Sequence, residues 1–406
     1  MVKDNDQGTA ANLPFLALSA PGFSTKSGAV FAAREQHWCA RTPLGLAVLS
    51  YDHVGWLLRD RRLRQGRHAW PQSQNAQGSF AAFWQRSVIS QEGAGHKQLR
   101  QVALAALDEG FILSLVPAFD AIAQRLCDGL KTRRECEFQR DFALPFSGQA
   151  ICVLLNLPLR TWQSVARDAS TLGLAMGLNY KTHEDEVNAA CDRLMHLADQ
   201  LIVSAERGED REGLAARLIG AAQKFPKIGR KELLDLIVIL IFGGVDTTRS
   251  QLGFLMALFD RHPMQWQALK CDPSSVPNAI EEAIRAWPTT TWVTREATES
   301  FVYDGVEIAK GTTLHLLVHV SAKDPALGSL PEFDITAKQR RHHGFGGGAH
   351  HCLGHFVART DMASALRALV VVLEDFEIIG TPRYLADSGN TSPEVLPLAY
   401  RLAPDV

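Results

Sequence analysis

The stretch "FGGGAHHCLG" (345–354) holds four glycines, two histidines and Cys352 in ten positions. Glycine costs about 1 kcal/mol relative to alanine inside a regular element, so this is not ordinary core. A thiolate between a glycine-rich loop and a helix start is stabilised by the helix N-terminus and by accessible backbone N–H groups, and can act as nucleophile or metal ligand. Five of the fourteen histidines, His342, His343, His350, His351 and His355, crowd the same region. Structural zinc usually takes paired ligands at C-x2-C or H-x3-H spacings. Here one cysteine stands alone, with histidines one and two residues before it. "GGVDTT" (243–248) also breaks local rules. Two adjacent glycines inside a helix cost roughly 2 kcal/mol together. Asp246 and Thr247 compete there with backbone hydrogen bonds. Local rules broken at one spot mark a functional site, with a packing kink as the plain alternative. Glu282 and Arg285 in "EEAIR" share a helix face, as do His96 and Arg100 in "GHKQLRQV". Taken alone, each of these patterns is an ordinary solvated face or surface pair.

Apolar residues recur at three- and four-residue steps over 96–130, within a helical region of about 95–290. The spacing predicts a long helix over 229–263 ended at Pro263, and another over 276–287 before Pro288. Residues 291–308 and 312–320 read as strands, broken by Asp-Gly and Lys-Gly turns. A last helix is expected over about 353–370. The class is therefore mainly α with a smaller β-rich region. No repeat, low-complexity tract or linker divides the chain, which predicts one domain over 1–406.

Lys+Arg (42) and Asp+Glu (44) nearly cancel, and no charge run suits nucleic acid. The N-terminus lacks the basic and apolar regions of a signal peptide. The most apolar run, "LIVILIFGGV" (236–245), falls short of the about 20 residues of a membrane span. Seven scattered cysteines without C-x-x-C suit a reducing cytoplasm.

The spacing Phe345-x-x-Gly348-x-His350-x-Cys352-x-Gly354 resembles the haem-binding signature of the cytochrome P450 family. The resemblance implies the P450 fold, with a long central helix over haem b (iron protoporphyrin IX). It makes the Cys352 thiolate the axial ligand of the iron. The loop, with Gly346 and Gly354, would lie flat against the porphyrin. Phe345 would shield the sulfur, and His350 would reach a propionate. No C-x-x-C-H is present, so the haem would be held without covalent links. On the long helix, "GGVDTT" resembles the family's oxygen-activating motif. Gly243 and Gly244 would bring the helix close over the haem, while Asp246 and Thr247 would handle protons as acid and alcohol. Glu282 and Arg285 resemble the family's structural core pair. The arginine that usually joins them falls at Ala337, with Lys338, Arg340 or Arg341 as substitutes. His96, Arg100 and Arg295 resemble its propionate-binding segments. The four segments run in family order over about 260 residues.

The function implied is a monooxygenase that inserts one oxygen atom of O2 into a small to medium apolar substrate. No nucleotide-binding Gly-x-Gly-x-x-Gly follows a strand and no cysteine cluster suits iron–sulfur, so electrons would come from an external ferredoxin and its reductase. Lys338, Arg340 and Arg341 would form the docking patch, or simply a solvated charge cluster. The expected substrate pocket includes the loop around 75–90 with Phe83 and Trp84, then Ile241, Gly244, Thr291, Trp292 and Val293. A monomer without membrane anchor is expected. Two other readings are a gas-binding haem-thiolate sensor and a peroxide-using oxygenase. A sensor has no need of the Asp246–Thr247 pair, and Asp246 has the wrong charge to hold a carboxylate near the oxygen.

Overall fold

The computed structural model describes residues 13–20, 22–66, 70–176, 180–328, 331–338 and 341–404. The chain opens with α1 (Gly28–Gln36), the hairpin β1 (Cys39–Thr42) and β2 (Gly45–Val48), α2 (Tyr51–Leu57) and β3 (Leu63–Gln65). Helices then dominate: α3 (Trp70–Ser73), α4 (Ser79–Arg86), α5 (Gly93–Ala106), α6 (Glu109–Ser114), α7 (Val116–Leu130), then β4 (Glu135–Glu137) and α8 (Leu144–Leu154). Next come α9 (Trp162–Gly173), α10 (Glu184–Glu206), α11 (Leu214–Ala222), α12 (Arg230–Arg261), α13 (Pro263–Cys271) and α14 (Val276–Ala286). Strands β5 (Val293–Ala297), β6 (Phe301–Tyr303), β7 (Val306–Ile308) and β8 (Thr313–Leu316) follow, then α15 (Val318–Ser321) and α16 (His355–Val372). The chain closes with β9 (Leu373–Ile378), β10 (Arg383–Tyr384), β11 (Pro393–Val395) and β12 (Pro397–Leu402).

One five-stranded sheet, ordered β1-β2-β8-β5-β3, joins early and late parts of the chain. Its β2–β8 pair is parallel, with Leu46 opposite Leu314. The antiparallel β3–β5 pair sets Gln65 opposite Arg295.

The 32-residue α12 runs through both large cores. Its Ile241 and Val245 pack among residues of α4, α5, α8 and α9. Leu252 to Phe259 pack with α7, α14 and α16. Each such side chain contributes about 1.5–3 kcal/mol on burial, so the middle of α12 is held from both ends.

Three sequence expectations change. The periodic stretch 96–130 is three helices, because Asp108 caps α6 by accepting from the Phe111 N–H and Pro117 sits in the first turn of α7. Pro263 begins α13 rather than merely ending α12, since proline fits a first turn. The strand expected over 312–320 leaves the sheet after Leu316 and turns into α15, which buries Val318 and Val320.

Candidate active site

Cys352 is set by its own loop. Its N–H donates to the Phe345 carbonyl at 2.9 Å, and the Gly346 N–H donates to the His343 carbonyl at 2.7 Å. Gly348 is held at φ +64°, where a Cβ would lie 2.3 Å from the Leu58 carbonyl oxygen. Only glycine lets the loop sit this close to the end of α2. Burial pushes the Cys352 thiol up, while the Gly354 N–H and the Arg100 and Arg359 guanidiniums favour the thiolate. The residue lies deep in the molecule, yet its surface is only partly covered by protein. The sulfur therefore borders an internal space.

Phe345 beside it is clamped. The Arg359 guanidinium stacks on its ring at 4.3 Å and donates to Glu281 at 2.5 and 3.1 Å. His342 Nε2 adds a 3.1 Å contact to the same carboxylate. Burial works to raise the Glu281 pKa, but the His342 and Arg359 bonds outweigh it and bring it to about 2.

A second group gathers around Glu92. Its carboxylate accepts from the Gln65 N–H at 2.7 Å and meets His350 Nε2 at 2.8 Å. The His350 ring stacks on His96 at 4.3 Å between centroids. His96 Nε2 is buried and has no hydrogen-bond partner. Burial and the neighbouring His350 lower the His96 pKa to about 4. Arg100 donates to the His351 carbonyl at 2.6 Å, tying α5 to the cysteine loop. Arg295 is 4% exposed, and its NH1 donates to its neighbour's carbonyl, Thr294 O, at 2.9 Å. Burial lowers its pKa to about 10, with Glu92 the countering charge. A buried guanidinium without a bonded anion is costly. Arg100, Arg295 and His96 thus leave donors for more negative charge than Glu92 supplies, while His350 Nε2 is taken by Glu92 itself. This donor set fits a haem, with a sulfur for the iron and cations for two propionates.

The middle of α12 supplies the third group. Gly243 and Thr247 are exposed one turn apart, although Val245 and Thr248 between and after them are buried. A Cβ at Gly243 would meet nothing within 4 Å, so this face also borders open space. Gly244 is instead required by packing, since a Cβ there would lie 2.5 Å from Ile151 Cδ1 on α8. It serves the helix contact rather than the open face. Thr247 Oγ1 donates to the Gly243 carbonyl at 2.5 Å. Asp246 Oδ1 accepts from Ser170 Oγ of α9 at 2.7 Å and lies 3.4 Å from Arg249 Nε.

Glu282 and Arg285 are 4% and 1% exposed. Two bonds of 2.7 Å join them. Arg285 also donates to the carbonyls of Ala322, Pro331 and Glu332, and Glu282 accepts from the Asp334 N–H at 3.0 Å. Ala337 is half-buried, and Lys338 and Arg341 are exposed. Arg340 lies outside the described residues.

The expected pocket lining is largely enclosed. Phe83 and Trp84 are 0% and 1% exposed, in an aromatic cluster with Trp70, Phe80 and Phe242. Ile241 is core as well. Thr291 donates to Asp387 at 2.5 Å. Trp292 packs edge-on against Phe23, and Val293 lies opposite Leu316 in the sheet. Ser170, Glu92, Glu281 and Arg359 were not among the expected site residues. Arg249, three residues after Asp246 on one helix face, was legible as a partner. Ser170 carries no local signal.

The Cytochrome P450 family model matches residues 275–382. Luteothin monooxygenase of Streptomyces thioluteus is 32% identical over 399 residues, covering 97% of each chain. This chain belongs to the cytochrome P450 family. The 20-oxo-5-O-mycaminosyltylactone 23-monooxygenase of Streptomyces fradiae is 29% identical, covering 83% of this P450 and 78% of that protein. The crystal structure of CalO2 has the same fold, with TM-score 0.86 at 22% identity, covering 94% of this chain and 99% of that one. The protein is a P450 monooxygenase, an oxidoreductase that uses haem, a redox partner and an organic substrate. Among its described residues no single helix is long and apolar enough to cross a membrane.

Proposed function

We propose that this P450 inserts one oxygen atom of O2 into a small to medium apolar substrate, using haem b ligated by Cys352. The observation that carries the reading is the acid and alcohol side by side on the open stretch of α12. Haem, when bound, supplies the oxygen chemistry and one-electron steps. The chain supplies the rest. Cys352 donates the sulfur, and Arg100, Arg295, His96 and His350 bind the propionates. Arg359 and Glu281 hold Phe345 against the thiolate side. Asp246, poised between Ser170 and Arg249, takes protons from solvent. The Thr247 hydroxyl passes them on across the Gly243 groove.

An organic substrate is supported by relatives named as monooxygenases of luteothin and of a mycaminosyltylactone. A ferredoxin with its reductase is proposed as electron source, docking beside the cysteine loop where Lys338 and Arg341 are exposed. We further propose a single domain over 1–406, monomeric and cytoplasmic.

Thr247→Ala is expected to leave substrate affinity nearly unchanged but to lower product formed per reductant consumed, with hydrogen peroxide released instead. Asp246→Asn is expected to slow turnover by about 10²–10⁴-fold, the usual contribution of a positioned acid or base. Coupling and rate both unchanged would reduce the α12 motif to a packing kink. Arg295→Leu removes a charge-assisted hydrogen bond worth about 1.5–3 kcal/mol. Haem transfer to apomyoglobin should therefore run roughly 10–100-fold faster. An unchanged transfer rate would remove Arg295 from the propionate site.

A further inference from the structure

At the N-terminal end of α2, the β6–β7 hairpin brings together a serine, a histidine and an aspartate. Ser50 Oγ lies 2.5 Å from His53 Nδ1. His53 Nε2 lies 2.9 Å from Asp304 Oδ2. The aspartate is presented by the turn of the hairpin, with φ +43° at Asp304 and +77° at Gly305. The imidazole is fixed by stacking on Trp38, at 4.6 Å and 5° between planes. Tyr303 packs edge-on against it at 5.8 Å. Ser50 and His53 line a cavity of about 380 Å³.

The chemistry follows from the tautomer. A carboxylate accepts only, so Asp304 accepts a hydrogen bond from Nε2–H and leaves Nδ1 bare. Bare Nδ1 is a base within hydrogen-bond reach of the Ser50 hydroxyl. Nucleophile, base and orienting carboxylate are thus in the order that activates a serine, an arrangement that recurs on unrelated folds. Ser50 is free to use it, because its side chain makes no capping hydrogen bond to α2. Arg34 lines the same cavity, and its Nε has no acceptor. Its NH1 donates to the Val320 and Lys323 carbonyls at 3.2 and 2.7 Å, so this nitrogen lends the cavity a nearby positive charge rather than a free donor. Glu35, Asp52 and Asp324 also line the cavity, which disfavours carboxylate ligands.

We propose that Ser50, His53 and Asp304 form a second, hydrolytic site that cleaves small neutral esters. Ser50 Oγ bonds to the ester carbonyl carbon as its proton moves to His53 Nδ1. The carbon–alkoxide bond breaks, and the alcohol leaves with that proton. Water then attacks the acyl-serine, passing a proton through His53 back to Ser50 Oγ and releasing the carboxylic acid. No electrons are exchanged, so the site runs independently of the haem.

The test treats the holoenzyme with an alkyl fluorophosphonate and locates the adduct by peptide mass spectrometry. One adduct on Ser50 is expected, formed at least about 100-fold more slowly in His53→Ala, the lower end of a general base's contribution. Asp304→Asn should also slow it, and Ser50→Ala should abolish p-nitrophenyl acetate hydrolysis above buffer. Absence of a Ser50 adduct in the unmodified protein, or an adduct forming equally fast in His53→Ala, would overturn the proposal.

Discussion

Glu282→Gln and Arg285→Leu are each expected to yield almost no soluble, haem-loaded protein. The two side chains are joined by two bonds of 2.7 Å. Together they also secure the carbonyls of Ala322, Pro331 and Glu332 and the N–H of Asp334. Removing one partner strands the other charge in a place water does not reach. Breaking a buried pair costs about 3–5 kcal/mol, a large part of the about 5–15 kcal/mol that holds a domain together. The loss is compounded here because the same residues anchor the segment leading into the cysteine loop. Soluble yield, circular dichroism and haem absorbance read the outcome. Normal yield and haem content in both variants would contradict the geometry.

The second large effect is spectroscopic. The reduced CO complex of the native protein should show the red-shifted Soret band of thiolate ligation. Cys352→Ser should lose it, and Cys352→His should retain some haem without it. The Gly354 N–H and the Arg100 and Arg359 guanidiniums favour a sulfur anion at this place. A hydroxyl has no comparable anion at neutral pH. The red-shifted band persisting in Cys352→Ser would show that another group holds the iron.

What could be read from the sequence was what short spacing determines. The cysteine loop, the Gly243–Thr248 segment and the Glu282–Arg285 pair each lie within ten residues, where one helix turn or one loop fixes the geometry. The mainly α class followed from periodicity. The partners that complete the site come from far along the chain. Ser170 meets Asp246 across 76 residues, and Glu92 meets His350 across 258. No local pattern announces such meetings. Pocket lining is hard to read for a related reason. Phe83 and Trp84 are apolar enough for a pocket or for a core, and only the packing of α4 against α12 assigns them to core. Gly243 and Gly244 show the same limit, since adjacent glycines serve an open face and a helix contact respectively.

The bond from Arg100 to the His351 carbonyl spans 251 residues. The contact between Gly348 and Leu58 likewise joins the late chain to the early chain. Closing such long loops is entropically unfavourable until most of the molecule is in place, so contacts of high sequence separation form slowly. The cofactor pocket is therefore a late event in folding, completed after the helical body. A ligand that binds only the finished state stabilises it by mass action. Cofactor supply during biosynthesis then sets how many newly made chains stay folded, and starvation for porphyrin would be felt as degradation and aggregation of the polypeptide.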